Sequence, residues 1–110
     1  YSKKGNNQLA VKNYSNAIKY DNKYKEAYYA RGNMYYYMEE DEKALSDYNS
    51  ALAIDPQYDL ALYGRAVIHR LNEDNQKALS DFERFLKIYE GTDYLKDEAK
   101  RMVNVIIKEQ

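Results

Sequence analysis

At 110 residues, 45% hydrophobic and 32% charged, the chain holds the apolar material for one modest core, and a single domain is expected. A formal charge of −1 leaves no surplus of cations for gripping nucleic acid or an anionic membrane surface, and no run of about 18 apolar residues exists to span a bilayer. The absence of cysteine excludes a disulfide framework, a thiol nucleophile and a cysteine-based zinc site; it fits a cytoplasmic location, with the compartment left open if the chain is a fragment of a targeted protein.

Four glycines and one proline provide few breaks, and β-branched residues neither cluster nor alternate as strands require, so the chain reads as all helix. The breaks fall in order at Gly5, at 22–24, at the acidic "EEDE" of 39–42, at "DPQY" of 55–58, at "NEDN" of 72–75 and at "EGTD" of 90–93. They bound segments of about 12 to 17 residues, the length of helices that pair as antiparallel hairpins. The first segment is "LAVKNYSNAIKY" at 9–20, followed by a segment containing "EAYYARG" at 26–32 and then by "KALSDYNSALAI" at 43–54. "LALYGRA" at 60–66 answers "EAYYARG", and "KALSDFERFLKI" at 77–88 answers the third segment, each 34 residues later. Ala10, Ala44 and Ala78 are in register, as are Tyr14, Tyr48 and Phe82, and Ile18, Leu52 and Leu86. In the last segment, 92–110, Leu95, Ala99, Met102, Val103 and Ile106 stand at helical spacing, with Gly91 placed to end the helix before and Thr92 or Asp93 to cap the new one.

With this period the chain resembles the tetratricopeptide repeat family, whose pattern sets a Trp, a Leu-Gly pair and a Tyr before Ala, an aromatic and a closing Pro. In 25–58 the matching residues are Tyr28, Arg31 with Gly32, Tyr35, Ala44, Tyr48, Ala51 and Pro56. In 59–92 Leu62, Arg65, Ala66, His69, Ala78 and Phe82 fit by size, while Phe85 replaces a small residue and Glu90 replaces the proline. The resemblance implies an all-α, right-handed solenoid of stacked antiparallel hairpins. It would hold a partial repeat at 1–24, beginning near the end of a first helix at Tyr1, complete repeats at 25–58 and 59–92, and a capping helix at 93–110, all in one domain. Tyr28, Gly32, Tyr35, Ala44, Tyr48, Ala51, Pro56, Ala78 and Phe82 then take packing roles. With nothing on its outer side, the first helix would expose Leu9, Ala10, Tyr14, Ala17 or Ile18, which makes self-association an alternative role for the chain.

Helix geometry divides the tyrosines of "YYARGNMYYYMEE" at 28–40, because residues seven apart differ by only about 20° in direction. Tyr28, Gly32 and Tyr35 form the stripe of family packing positions. Tyr29, Asn33 and Tyr36 form a second stripe, with Tyr37 beside it. In the family, first helices line a concave groove, where Tyr63, Val67 and Arg70 join the second stripe and Leu71 lies alongside. The expected function is therefore a non-catalytic scaffold binding a protein or peptide on an aromatic groove, with Asn33 and Arg70 supplying polar contacts. Of the lysine, asparagine and arginine set by which some members hold chaperone C-termini, only Asn33 has a counterpart, and that ligand is disfavoured. Nucleic acid is not an expected partner, because Arg70 is set against Glu26 in the groove. No cofactor, nucleophile and base pair, phosphate loop or metal spacing is found, and "EEDE" lacks the glycine of a calcium loop. His69, the only histidine, is expected to be a packed, hydrogen-bonded core residue. Arg31 and Arg65 stand where the family has leucine, and Asp47 and Asp81 follow each by sixteen residues; the spacing predicts two equivalent ion pairs across the hairpins.

Overall fold

The computed structural model describes residues 3–109, with side chains from Gly5 onward. The expectation that a first helix ends near Tyr1 lies outside the described residues. Six helices follow one another: α1 (Lys3–Tyr20), α2 (Lys25–Tyr37), α3 (Asp41–Ile54), α4 (Asp59–Leu71), α5 (Asn75–Ile88) and α6 (Tyr94–Glu109). There is no strand among the described residues, and no helix among them is long and apolar enough to cross a membrane. Each helix packs on the next, and the two most extensive contacts join α2 to α3 and α4 to α5. Beyond these neighbours α2 reaches only α4 appreciably, so the chain is an all-α solenoid built from local contacts.

The turns repeat as faithfully as the helices. Glu39 and Glu73 both adopt φ 61°, and the amides that follow them close the same turn: Glu40 N–H donates to Tyr35 O at 2.9 Å and Asp74 N–H to His69 O at 2.8 Å. This is the wide helix-ending loop that glycine usually provides, here made by glutamate twice. At the other turns Asp21 accepts from Lys23 N–H and Asp55 from Gln57 N–H, both at 3.0 Å. Pro56 is exposed in the second of these turns, and its carbonyl accepts from Arg84 at 3.2 Å. At the far end α5 stops at Ile88, short of Gly91, because Tyr89 turns extended, and Asp93 caps α6 by accepting from Leu95 N–H at 3.1 Å.

Alanines at the helix crossings, Ala44, Ala51, Ala61, Ala66, Ala78 and Ala99, are fully buried and let the backbones approach closely. The large fully buried side chains, Leu62, Ile68, Phe82, Phe85 and Ile106, lie toward the C-terminal half. Phe85, where the family keeps a small residue, is accommodated by stacking on Tyr89 at 4.5 Å and meeting Tyr63 at 5.2 Å. Tyr48, only 2% exposed, is wedged between α2 and α4. A Cβ on Gly32 would lie 3.0 Å from Tyr48 Cε1, and one on Gly64 only 2.7 Å from Cζ. Glycine is needed at both places for this close approach rather than for backbone freedom. Tyr28 and Tyr35, expected to be packing residues, are half-buried. They flank the Arg31 guanidinium at 5.7 and 5.8 Å, so their rings cover an ion pair as well as packing against the core, while the buried aromatic of this hairpin is Tyr48.

Both expected ion pairs are formed, each as a two-pronged fork. Arg31 donates from Nε to Asp47 at 2.8 Å and from Nη2 at 2.7 Å; Arg65 does the same to Asp81 at 2.7 and 2.9 Å. Each guanidinium also donates backward, Arg31 to Ser15 Oγ and Arg65 to Asn49 Oδ1, both at 3.0 Å. Ser15 and Asn49 are again 34 apart, so one arginine ties three successive helices at each step. His69 departs from expectation. Its Nε2 lies 3.8 Å from Asp81 Oδ2, outside hydrogen-bond reach, while Arg65 holds both Asp81 oxygens.

Candidate functional site

A cleft of about 600 Å³ opens along the side of the stack formed by α2, α4 and α6. All seven groove residues expected from the sequence line it: Tyr29, Asn33, Tyr36 and Tyr37 from α2, and Tyr63, Val67 and Arg70 from α4. Leu60, Gly64 and Leu71 complete the α4 wall, and Tyr48 and Phe82 reach it from behind. The wall contributed by α6, with Tyr94, Leu95, Glu98 and Met102, is what sequence reasoning missed. Its signal was present in the period, since 34 residues beyond Tyr63 and Val67 the chain arrives beside Glu98 and Met102.

The cleft tyrosines are not loose surface groups. Tyr29 packs within 6.0 Å of Tyr48 and 5.5 Å of Tyr58, Tyr36 lies 5.7 Å from Tyr37, and Tyr63 sets its edge against Phe82 at 5.8 Å. Tyr29, Tyr36 and Tyr63 are half-buried, so each ring has one side against the core and the other toward the cleft. The sequence division into core and partner faces is therefore corrected for these rings, because a side chain this long meets both. Tyr37 alone among the seven is strongly exposed, at 64%.

Polar atoms in the wall are held by the fold. Tyr48 donates its hydroxyl to Asn33 Oδ1, which fixes the carboxamide and leaves the Asn33 amide nitrogen as the free donor. Burial pushes the Tyr48 phenol well above the usual tyrosine range, raises Tyr63 in the same direction and moves Tyr58 up to about 12, so all three stay protonated hydroxyls at neutral pH. Arg70, expected to await a ligand, is already occupied. Its Nη1 and Nη2 donate to the two carboxylate oxygens of Glu109, both at 2.9 Å, and Nη1 also donates to Asn75 Oδ1 at 2.9 Å. Glu98 receives Arg101 Nη2 on both oxygens. Arg70 and Glu98 are the only charged residues among the described ones that line the cleft, and each has its counter-charge from the same chain.

Comparison with protein families matches the first half of the chain. A tetratricopeptide repeat model matches residues 26–58 and a second TPR repeat model matches residues 1–38, together covering more than half of the chain. The chain belongs to the tetratricopeptide repeat family. No curated protein sequence matches it. Solved tetratricopeptide repeat structures superpose over nearly its whole length. The first repeat domain of Spaghetti (RPAP3), bound to the HSP90 peptide SRMEEVD, is 21% identical with a TM-score of 0.82, covering 96% of this chain and 83% of that one. The TPR2B domain of yeast Sti1 in its pHsp70 complex is 19% identical with a TM-score of 0.83, over 97% and 87%. The Yersinia enterocolitica type III secretion chaperone SycD, in complex with a peptide of the translocator YopD, is 14% identical with a TM-score of 0.85, over 96% and 84%. At these identities the likeness is one of fold.

Proposed function

We propose that the chain is a non-catalytic protein-interaction scaffold that binds a peptide or helical segment of a partner in the tyrosine-rich cleft. The observation that carries this reading is the convergence of Tyr29, Tyr36, Tyr37 and Tyr63 on one open cleft of about 600 Å³, a size suited to several side chains of a ligand. Tyrosines backed by the core offer large contact area with little rotamer entropy left to lose, which is the property of recognition anchors. The Asn33 amide adds a directed donor for a ligand carbonyl. Two of the superposed structures are complexes with peptides, which supports the reading at the level of the fold.

The test is selection of a displayed random-peptide library against the protein and against a Tyr29→Ala/Tyr36→Ala variant, with helix content and melting followed alongside. Ligands that bind the parent and lose at least about tenfold in the variant, at similar helicity, support the cleft. Ligands that bind both equally overturn it.

A second reading rests on α1. Ala10, Tyr14, Ala17 and Ile18 are all partly exposed and Leu9 is 59% exposed, whereas Ala44, Tyr48, Ala51 and Leu52, one period later, are buried. A face of core residues left open in this way supports self-association. Sedimentation equilibrium giving a dimer that Leu9→Lys dissolves would support it, and a monomer at high micromolar concentration excludes it.

A further inference from the structure

We infer that Glu109 is a specificity residue that occupies Arg70 from within the chain and so denies the cleft to carboxylate-bearing ligands, leaving it selective for uncharged, apolar segments. The inference deepens the cleft reading above and rests on it. Among the described residues Arg70 is the only cation lining the cleft, and a guanidinium fork is the group best shaped to seize a peptide carboxylate. In this protein the fork is filled by both oxygens of Glu109, reached across 39 residues from the end of α6, and its remaining reach is steadied by Asn75. The pairing holds Glu109 below the usual carboxylate range, so the occupant is charged at neutral pH.

A ligand carboxylate entering here must displace an intramolecular one of the same geometry, which has the higher effective concentration. An acidic ligand would also meet Glu98 in the same wall. With Arg101 holding Glu98 as well, the described residues of the cleft present no unpaired charge of either sign to a partner. Discrimination of this kind comes from a built-in competitor rather than from added attraction.

The experiment titrates fluorescently labelled SRMEEVD, and a carboxylate-free analogue with amides in place of its acids and its C-terminal carboxylate, into the parent, Glu109→Gln and Arg70→Gln/Glu109→Gln proteins. All three are first checked for matching helicity. The expected result is that Glu109→Gln binds SRMEEVD about three- to fivefold more tightly than the parent, the size of an exposed ion pair. The double variant returns to the parent value, and the carboxylate-free analogue gains nothing from either change. Equal SRMEEVD affinity in parent and Glu109→Gln, including no binding to either, overturns the inference. So does a gain that survives in the double variant. The tyrosine-dependent library ligands report separately on the cleft, so loss of the charge effect alone removes Glu109 and not the binding site.

Discussion

Tyr48 shows how one residue couples the core to the cleft. It is nearly fully buried, its ring fills the gap left by two glycines, and its hydroxyl fixes the cleft amide of Asn33. Tyr48→Ala should cost about 3–5 kcal/mol in urea unfolding, the range for buried aromatic truncations, whereas half-buried Tyr35→Ala should cost less than half as much. Equal losses at the two positions would contradict the assignment of Tyr48 as the buried aromatic of its hairpin. His69 gives a pH signature. Burial lowers its proton affinity, opposed by Asp81 and reinforced by Arg65, so the unfolded chain binds the proton more readily than the folded one. Stability on this account is complete above the ordinary histidine value of about 6.5 and declines as pH falls below it. In His69→Gln the decline in melting temperature between neutral and mildly acidic pH should flatten; an unchanged profile would remove His69 as the cause.

Between elements, the arginine forks do the joining. Arg31 bonds α1 through Ser15 and α3 through Asp47, with Asp47 only 3% exposed. Arg31→Met should cost about 3–5 kcal/mol by stranding a buried carboxylate, while Arg31→Met/Asp47→Leu should recover most of that loss, since two apolar side chains leave no charge unpaired. Chemical denaturation of the two variants checks this, and a double variant no more stable than the single one would show that geometry rather than charge is at stake. The turns offer the opposite case. Glutamate at φ 61° is strained where glycine is not, so Glu39→Gly and Glu73→Gly should each stabilise by about 0.5–1 kcal/mol, read as a higher urea midpoint at unchanged slope.

For the whole molecule, contacts that run almost wholly between neighbouring helices make stability a sum of local interfaces, with the ends opening first. Hydrogen exchange should therefore show greatest protection in α3 to α5 and least in α1, whose core-type residues remain partly exposed. Uniform protection in all six helices would indicate one all-or-none unit instead. The period of 34 was legible in the sequence because the same residues recur wherever the same neighbours must be met, and it is enough to place the helices and the arginine forks; the seven cleft residues followed from the family resemblance that the period carries. What it could not supply is what a side chain meets when neighbours differ from the period. Tyr29, Tyr36 and Tyr63 rest on the core as well as facing the cleft, and His69 stands 3.8 Å from the carboxylate that Arg65 holds. Arg70 is closed by Glu109, a residue near the far end of the chain to which no repeat register points. Local periodicity follows from helix geometry and the stacking of identical neighbours, and sequence carries it alone; the occupancy of each charged or aromatic group depends on three-dimensional competition for partners, which only the folded chain decides.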